Sequence, residues 1–333
     1  MKSRFMPLLM TFIVFVVLYL IALARFDSFA SMRIIGNLLR DNAYWGIAAV
    51  GMTFVIISGG IDLSVGSVVA FTGVFCALMI TRNGWEPVPT FAVILIIGAL
   101  FGGTMGFLIH KFKLPAFIVT LSGLFLARGM AYVLSTESIR IEHPFYEQIS
   151  NIVYVFPDRG RLTLAAGIFV LVLIIGIVLA HYTRFGRNVY AFGGNSDAAL
   201  LLGVPVGRTT ILTYALSSFL AVLAGIVLSL SKKSGDSTIG VGLELDVIAA
   251  VVIGGTLLTG GVGYVIGTFI GVMTLGVIQT YLTLDGSLSP WWIKIVVGAL
   301  LFAFVGLQRL LSRRQDIRLR RRRSAATAAQ APG

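Results

Sequence analysis

The chemistry in this sequence concentrates in one stretch, residues 51–73, which reads GMTFVIISGGIDLSVGSVVAFTG. Its single carboxylate, Asp62, follows the Gly59-Gly60 pair within an otherwise apolar background. Glycines let a backbone turn sharply or approach another backbone closely, so the pattern predicts two membrane helices that meet at a tight, polar-lined turn. Small residues accompany the carboxylate at nearly helical spacing: Ser58, Ser64, Gly66 and Ser67.

Asp62 has two interpretations. An ionisable group among apolar residues is costly unless it faces protein or water, which makes Asp62 a candidate for the pathway of a transported substrate. The neighbouring candidates for that pathway are Ser58, Ser64 and Ser67. Alternatively, the carboxylate caps the following helix by accepting hydrogen bonds from the free backbone N–H groups near Ser64 and Val65.

A second stretch repeats this pattern later in the chain. It begins at Gly242, reads GLELDVIAAVVIGGTLLTGGVGYVIGTFIGV, and places Glu244 and Asp246 ahead of an apolar helix that glycines interrupt. We expect the helix after Asp62 to be entered from the cytoplasmic side and this one from the outside. Paired broken segments are typical of inverted-repeat transporters with a pathway at the repeat interface. Alternatively, the glycines only allow close helix packing.

The composition excludes a soluble globular domain. Apolar residues make up 57% of the chain, charged residues 12%, and the mean hydropathy is +0.94. These values indicate an all-α polytopic membrane protein, and 333 residues leave room for eight to ten helices. The net charge of +12 does not indicate nucleic-acid binding, because eight arginines lie between Arg309 and Arg323, where anionic lipid accounts for them. The single Cys76 excludes an internal disulfide and is interpreted as a packing residue.

Ten apolar runs define the predicted transmembrane helices: 7–24, 43–58, 64–81, 90–110, 115–134, 163–182, 210–230, 245–258, 262–283 and 290–308. An even number of spans with Lys2 and Arg4 inside puts both termini in the cytoplasm, and the loop lysines and arginines favour that orientation. The first run is interpreted as an uncleaved span, although Ala22-Leu23-Ala24 resembles a signal-peptidase site. We expect one membrane domain over residues 1–314 and a basic, disordered cytoplasmic tail over 315–333.

The longest predicted cytoplasmic loop, residues 181–210, contains a short capped helix. Gly193, Gly194 and Asn195 are expected to form a turn, after which Asn195 or Ser196 caps the helix and Gly203 ends it. The predicted docking segment comprises Asn195, Asp197, Ala198, Ala199, Leu201, Leu202 and Gly203. Ala198, Leu201 and Leu202 lie on one side at the spacing of a helix that docks into a groove. Such a helix needs a partner surface, either a protein or the lipid interface.

The inventory of reactive groups does not support an enzyme. His110, His143 and His181 are scattered over the borders of the predicted spans, and no spacing of His, Cys and Asp fits a metal site. The chain has no GxxxxGK[ST] loop, so we expect no catalytic residue, metal or cofactor here, and ATP would be used by a partner. The alternative is an ion-coupled secondary transporter with Asp62 as its coupling site, but such carriers usually bury several ionisable groups.

Residues 51–73 closely resemble the signature of the ribose/galactose-type permeases of bacterial ABC sugar importers, and the resemblance covers about residues 5 to 310. The end, VIQTYLTLDGSLSPWWIKIVVGALLFAFVGLQR, is most similar to the galactofuranose permeases in its Asp285-Gly286 turn and Trp291-Trp292 pair. The resemblance implies half of a channel in the bacterial inner membrane, completed by a sister permease as a heterodimer. It also implies separate ATP-binding subunits that dock on residues 195–203, a periplasmic sugar-binding protein, and galactofuranose as the favoured monosaccharide.

Two features near the outer side need separate interpretation. The stretch SKKSGDSTIG, from Ser231, places Lys232, Lys233 and Asp236 where the family is expected to have small, aromatic and apolar residues. This outer loop would face the sugar-delivering protein. Lys294, close to the tryptophan pair, is interpreted either as snorkelling to the outer interface or as a residue of the substrate pathway.

Overall fold

The computed structural model describes residues 6–156, 160–286 and 291–306, and within these ranges the chain forms fourteen α-helices and four short strands. The helices are α1 (Met6–Arg25), α2 (Met32–Asp41), α3 (Ala43–Ile57), α4 (Val65–Ala77), α5 (Pro87–Phe112), α6 (Ala116–Leu134), α7 (Pro144–Asn151), α8 (Leu164–Tyr182), α9 (Arg184–Gly194), α10 (Ser196–Leu201), α11 (Val206–Lys232), α12 (Leu243–Ile253), α13 (Val265–Asp285) and α14 (Trp291–Gly306). The strands β1 (Ile139–Arg140) and β4 (Ser234–Gly235) pair antiparallel, as do β2 (Val153–Val155) and β3 (Arg161–Thr163). The tail predicted for 315–333 lies outside the described residues.

Each of the ten predicted apolar runs contains one helix, which confirms the all-α polytopic class. In the described ranges, seven helices are long and apolar enough to cross a membrane, if α4 is counted with the π-helical turn Leu78–Arg82 that continues it; α3 and α14 are shorter. α12 has 11 residues. At about 1.5 Å per residue it reaches roughly half the thickness of a bilayer core. α12 is therefore a half-length helix, as its short apolar run indicated.

The bundle has two ends that different loops occupy. One cavity, lined by Ser58, Lys113 and Ser196, lies beside α10, and we call this side the α10 end. Another, lined by Arg40, Lys232 and Thr283, lies beside α2, and we call this side the α2 end. α3, α11 and α13 run between the two ends.

The longest helix in the described ranges, α11, forms the centre of the bundle and packs against α3, α4 and α5. On α5, Gly98, Gly102 and Gly106 recur at every fourth residue and face α11. A Cβ at Gly102 would overlap the carbonyl oxygen of Tyr214, so the missing side chain sets the distance between the two helices. Close backbone packing of this kind drives helix association inside lipid, where burial of apolar surface gives no advantage.

The stretch between α11 and α12 folds back along α4. Gly235 lies against Gly73 in the middle of α4, and Gly240 lies against Gly66 at its start. Residues 235–240 therefore run beside α4 toward its N terminus, and Ser237 is fully buried among them. The prediction that this stretch is an outer loop needs correction for these residues, because their glycines permit backbone contact with a transmembrane helix.

Substitution of Gly102 tests the α5–α11 contact. Gly102→Leu should lower the melting temperature of the detergent-purified protein, because overpacking at a close contact costs about 1–3 kcal/mol. Gly103→Leu is the matched control, since the nearest heavy atoms to a Cβ at Gly103 are 3.9 and 4.0 Å away. Equal melting temperatures for the two variants would contradict the packing described here.

Candidate functional site

α3 ends inside the bundle, and the hydrogen bonds that close it need glycine. The Gly59 N–H donates to the carbonyl of Ile56 at 2.9 Å. The Gly60 N–H donates to the carbonyl of Val55 at 3.0 Å. Together these bonds form a Schellman motif, which satisfies carbonyl groups that the last helical turn leaves free. Gly59 has a φ of +83°, a left-handed conformation that other residues adopt at a steric cost.

α12 ends in the same motif. Gly255 has a φ of +89°, and its N–H donates to the carbonyl of Val252 at 2.9 Å. The Thr256 N–H donates to the carbonyl of Val251 at 3.2 Å. The two broken stretches therefore repeat each other bond for bond. In the sequence, α12 resembles the helix that follows Asp62. In the structure, the C-terminal motif of α12 matches that of α3, the helix that precedes Asp62. An inverted relation between the two halves stays a prediction.

The two breaks meet at a backbone contact that we call the glycine junction, formed by Gly59, Gly193, Gly260 and Gly261. The Gly261 N–H donates to the carbonyl of Ile57 at 2.8 Å, which joins the second break to the first. Gly193 lies against the same carbonyl. The prediction that Gly193 and Gly194 form a turn is wrong, because they are the last residues of α9. Their lack of a side chain lets the end of α9 touch both breaks.

Asp62 follows the first break, is fully buried, and accepts three hydrogen bonds. Its Oδ1 accepts from the backbone N–H of Ser64 at 3.0 Å and from the Ser64 hydroxyl at 2.6 Å. Its Oδ2 accepts from the hydroxyl of Ser217 on α11 at 2.8 Å. The predicted hydrogen bond from a backbone N–H near Ser64 to the Asp62 carboxylate is confirmed. The N-cap residue of α4 is nevertheless Ser64 and not Asp62, because α4 begins at Val65. Asp62 also ties the turn to α11, which the sequence did not indicate.

The predicted pathway residues of this turn differ in their access to open space. Asp62, Ser64 and Ser67 are fully buried. Ser58 lines a cavity of about 470 Å³ at the α10 end, beside Tyr214. A pathway role for these four residues stays a prediction. Within the described ranges, no three His, Cys, Asp or Glu side chains are grouped as metal ligands would be.

Lys294 binds a carboxylate of the protein. Its Nζ lies 2.7 and 2.5 Å from the two side-chain oxygens of Asp246, in the first turn of α12. Trp291 and Trp292, just before it, are exposed. Lys294 therefore forms an ion pair that joins α14 to α12, and its snorkelling to the outer interface stays a prediction. Its role in the substrate pathway stays a prediction.

Arg128 has a role that the sequence reasoning missed, although an arginine in an apolar span is itself a signal of function. Its Nη1 donates to the carbonyls of Ser237 and Ile239 at 2.6 and 2.7 Å. It therefore fastens the folded-back stretch to α6. Glu244 packs over Gly66 at the start of α4, and its Oε2 has no hydrogen-bond partner among the described residues.

The predicted docking segment has the local geometry expected of it. The Asn195 side chain accepts from the backbone N–H of Ala198 at 2.9 Å, and Gly203 ends the segment with a φ of +75°. Ala198 is exposed, as are 88% of Leu201 and 82% of Leu202. Two other residues of the segment do not belong to this exposed apolar surface. Ala199 is buried, and Asp197 lines the cavity of about 470 Å³.

Substitution of Asp62 tests its role as an acceptor. Asp62→Leu should lower the melting temperature strongly, because three buried donors lose their acceptor at about 1–3 kcal/mol each. Asp62→Asn keeps one side-chain oxygen and should fall between Asp62→Leu and the unsubstituted protein. Asp197→Leu removes an exposed carboxylate and is the control. A melting temperature of Asp62→Leu equal to that of the control would rule out the acceptor role.

Comparisons with known proteins cover most of the chain. Residues 34–305 match a family described as branched-chain amino acid transport system / permease component. The chain is 54% identical over 312 residues to the inner membrane ABC transporter permease protein YjfF of Escherichia coli (strain K12), covering 94% of each. It is 39% identical to the fructose import permease protein FruG of Bifidobacterium longum, covering 93% and 92%. It is 37% identical to the ribose import permease protein RbsC of Escherichia coli (strain K12), covering 83% and 86%. No solved structure matches the chain.

Proposed function

Because the chain belongs to the family of permease components described for branched-chain amino acid transport systems, we propose that it is the membrane permease subunit of a bacterial ABC importer. Relatives that match the chain over most of their length are import permeases for fructose and for ribose, which favours a monosaccharide over an amino acid as the substrate. The likeness of residues 277–309 to the galactofuranose permeases makes galactofuranose the sugar that we propose.

The observation that carries this proposal is the exposed apolar face of α10. Ala198, Leu201 and Leu202 are exposed on a helix that Asn195 caps and Gly203 ends. A short capped helix with exposed leucines suits a groove on a partner protein, where the leucines would be buried. We assign that groove to the ATP-binding subunit.

Force from the partner would reach the membrane through α9. α9 precedes α10 directly, and its last residues touch the glycine junction at Gly193. A displacement of α10 therefore acts together on the end of α3 and on the loop that follows α12. From there the Asp62 carboxylate carries the displacement to α11 through Ser217 and to α4 through Ser64.

Three protein partners follow from this proposal. An ATP-binding subunit would dock at the α10 end, and a periplasmic sugar-binding protein would deliver the sugar at the α2 end. A sister permease would complete the channel, and we propose a heterodimer. We place the chain in the bacterial inner membrane with both termini in the cytoplasm, surrounded by lipid and without a nucleic-acid partner.

The geometry of Asp62 argues against an ion-coupled secondary transporter. A coupling carboxylate must exchange a proton or a metal ion with water during the cycle. The carboxylate of Asp62 is fully buried, and both of its oxygens accept hydrogen bonds from protein groups. Its contacts are those of a structural acceptor.

Reconstitution in vesicles tests the proposed function. The permease pair, the ATP-binding subunit and the binding protein should together take up labelled sugar, and uptake should stop when ATP or the ATP-binding subunit is omitted. Uptake by the permease without the ATP-binding subunit, driven by a proton or sodium gradient, would contradict the proposal.

The docking face can be tested by one exposed substitution. Leu201→Glu should abolish co-purification of the ATP-binding subunit and ATP-driven uptake, because a charge replaces an apolar contact in the groove. Ile152→Glu, at another exposed aliphatic position at the α2 end (53%, against 88% for Leu201), is the control and should leave co-purification intact. Because both positions are exposed, neither change should prevent folding. Normal co-purification by Leu201→Glu would show that the subunit docks elsewhere.

The proposed orientation predicts the activity of fused reporters. A cytoplasm-active reporter fused after Arg314 should be active, and a periplasm-active reporter fused near Glu147 should be active as well. The physical reason is the excess of lysine and arginine in the loops assigned to the cytoplasm. The opposite pattern would overturn the orientation and the assignment of α10 to the ATP-binding subunit.

A further inference from the structure

At the α2 end, a cavity of about 680 Å³ lies between α2, the C-terminal end of α11 and the C-terminal part of α13. We call it the polar cavity, because its walls include Asn37, Arg40 and Asp41 from α2 and Gln279, Thr280 and Thr283 from α13. Its volume falls within the range of about 300–1,000 Å³ that small-molecule sites occupy. The polar cavity lies at the opposite end of the bundle from the docking segment.

The α13 wall is a polar stripe on a helix that is apolar enough to cross a membrane. Gly276, Gln279, Thr280 and Thr283 recur at helical spacing, and all four line the polar cavity. Polar side chains on a membrane helix are costly where they face lipid. The stripe is therefore explained by contact with water or with a polar ligand.

The wall where α2 meets α3 is fixed by Asn42. Its side-chain nitrogen donates to the carbonyl of Leu38 at 2.7 Å, and its side-chain oxygen accepts from the indole N–H of Trp45 at 3.0 Å. A Cβ at Gly276 would overlap the amide of Asn42, so α13 approaches this corner because residue 276 is a glycine. Both walls of the polar cavity consequently belong to packed helices rather than to surface loops.

The charges of the polar cavity are largely compensated. The Arg40 Nε lies 2.8 Å from Asp41 Oδ1, so these two side chains neutralise each other. Lys232 adds one exposed cation. This balance does not select a strongly charged ligand, while the amides and hydroxyls of α2 and α13 provide donors and acceptors.

The polar cavity continues toward the start of α12. A neighbouring cavity of about 180 Å³ shares Tyr44 and Gln279 with it and contains the ion pair of Lys294 and Asp246. Tyr44 therefore places an aromatic ring at the boundary between the two spaces. The neighbouring cavity reaches the first turn of α12 at Asp246.

We propose that the polar cavity binds a neutral, multiply hydroxylated molecule, a monosaccharide, inside a single permease chain. Each sugar hydroxyl both donates and accepts, which matches walls that carry amides, hydroxyls, one compensated ion pair and the Lys232 ammonium group. The aromatic face of Tyr44 suits the apolar C–H side of a sugar ring. The inference rests on the proposed function and adds to it a binding site at the α2 end.

Transport kinetics of the complete importer test this site. Uptake is first measured with radiolabelled D-galactose, D-ribose, D-fructose, D-xylose and methyl galactofuranoside, and the sugar that is transported is used in the kinetic measurements. For that sugar, Gln279→Leu and Thr280→Val should each raise KM at least tenfold and change the maximal ATP turnover less than twofold. Gln148→Leu, an exposed glutamine on α7, is the matched control and should leave KM unchanged.

Chemical labelling provides a readout that does not depend on transport. In a Cys76→Ala background, a membrane-impermeant maleimide should label Gln279→Cys, and the same five sugars are tested for protection. At least one should slow labelling fivefold or more, whereas labelling of Gln148→Cys should be unaffected. This measurement also decides the case in which Gln279→Leu fails to fold.

The outcomes separate the two proposals. If the complete importer takes up none of the sugars but a sugar protects Gln279→Cys, the proposed function fails and the binding site stands. If uptake occurs, KM is unchanged in both cavity variants and no sugar protects Gln279→Cys, the binding site is overturned and the proposed function stands. Protection by anionic lipid instead of sugar would assign the cavity to a lipid headgroup and also overturn the proposal.

Discussion

A helix that stops inside a membrane leaves backbone carbonyl and N–H groups that water cannot satisfy, and this constraint governs the bundle. α3 and α12 both stop in this way, and the same Schellman motif closes each of them. The Ile57 carbonyl, which faces the second break, accepts from the Gly261 N–H. Because these bonds require left-handed residues and direct backbone contact, the glycines are a consequence of hydrogen-bond satisfaction rather than a sign of looseness.

Asp62 and Arg128 meet the same constraint with opposite chemistry. The carboxylate of Asp62 accepts from the groups at the start of α4 and from Ser217 on α11. The guanidinium of Arg128 donates to two carbonyls of the folded-back stretch. Each of these side chains carries several hydrogen-bonding atoms, so one residue satisfies several backbone or hydroxyl partners. This explains why the turn after α3 and the folded-back stretch each have an ionisable residue beside them.

The features that could be predicted from the sequence are those whose cause lies within a few residues. The apolar runs, the Asn195 cap and the end of its segment at Gly203 depend on local pattern, and the structure has each of them. The partners of charged groups could not be predicted. Ser217 lies 155 positions after Asp62, and Lys294 lies 48 positions after Asp246. Packing selects Ser217 among several serines and threonines of α11 that have equal chemistry.

The partners of residues 233–242 could not be predicted from the sequence either. Their polar, glycine-containing composition predicts a loop, but strand β1 and Arg128, about a hundred positions earlier, satisfy their backbone. The glycine junction is likewise assembled from three distant segments. Since α3, α9 and α12 are each internally hydrogen-bonded, a relative movement of α9 must be absorbed at the residues between helices, where Gly59 and Gly255 already adopt left-handed conformations. The backbone contacts that satisfy the free hydrogen-bonding groups at the two breaks are therefore also the contacts through which a movement of α10 and α9 reaches the membrane helices.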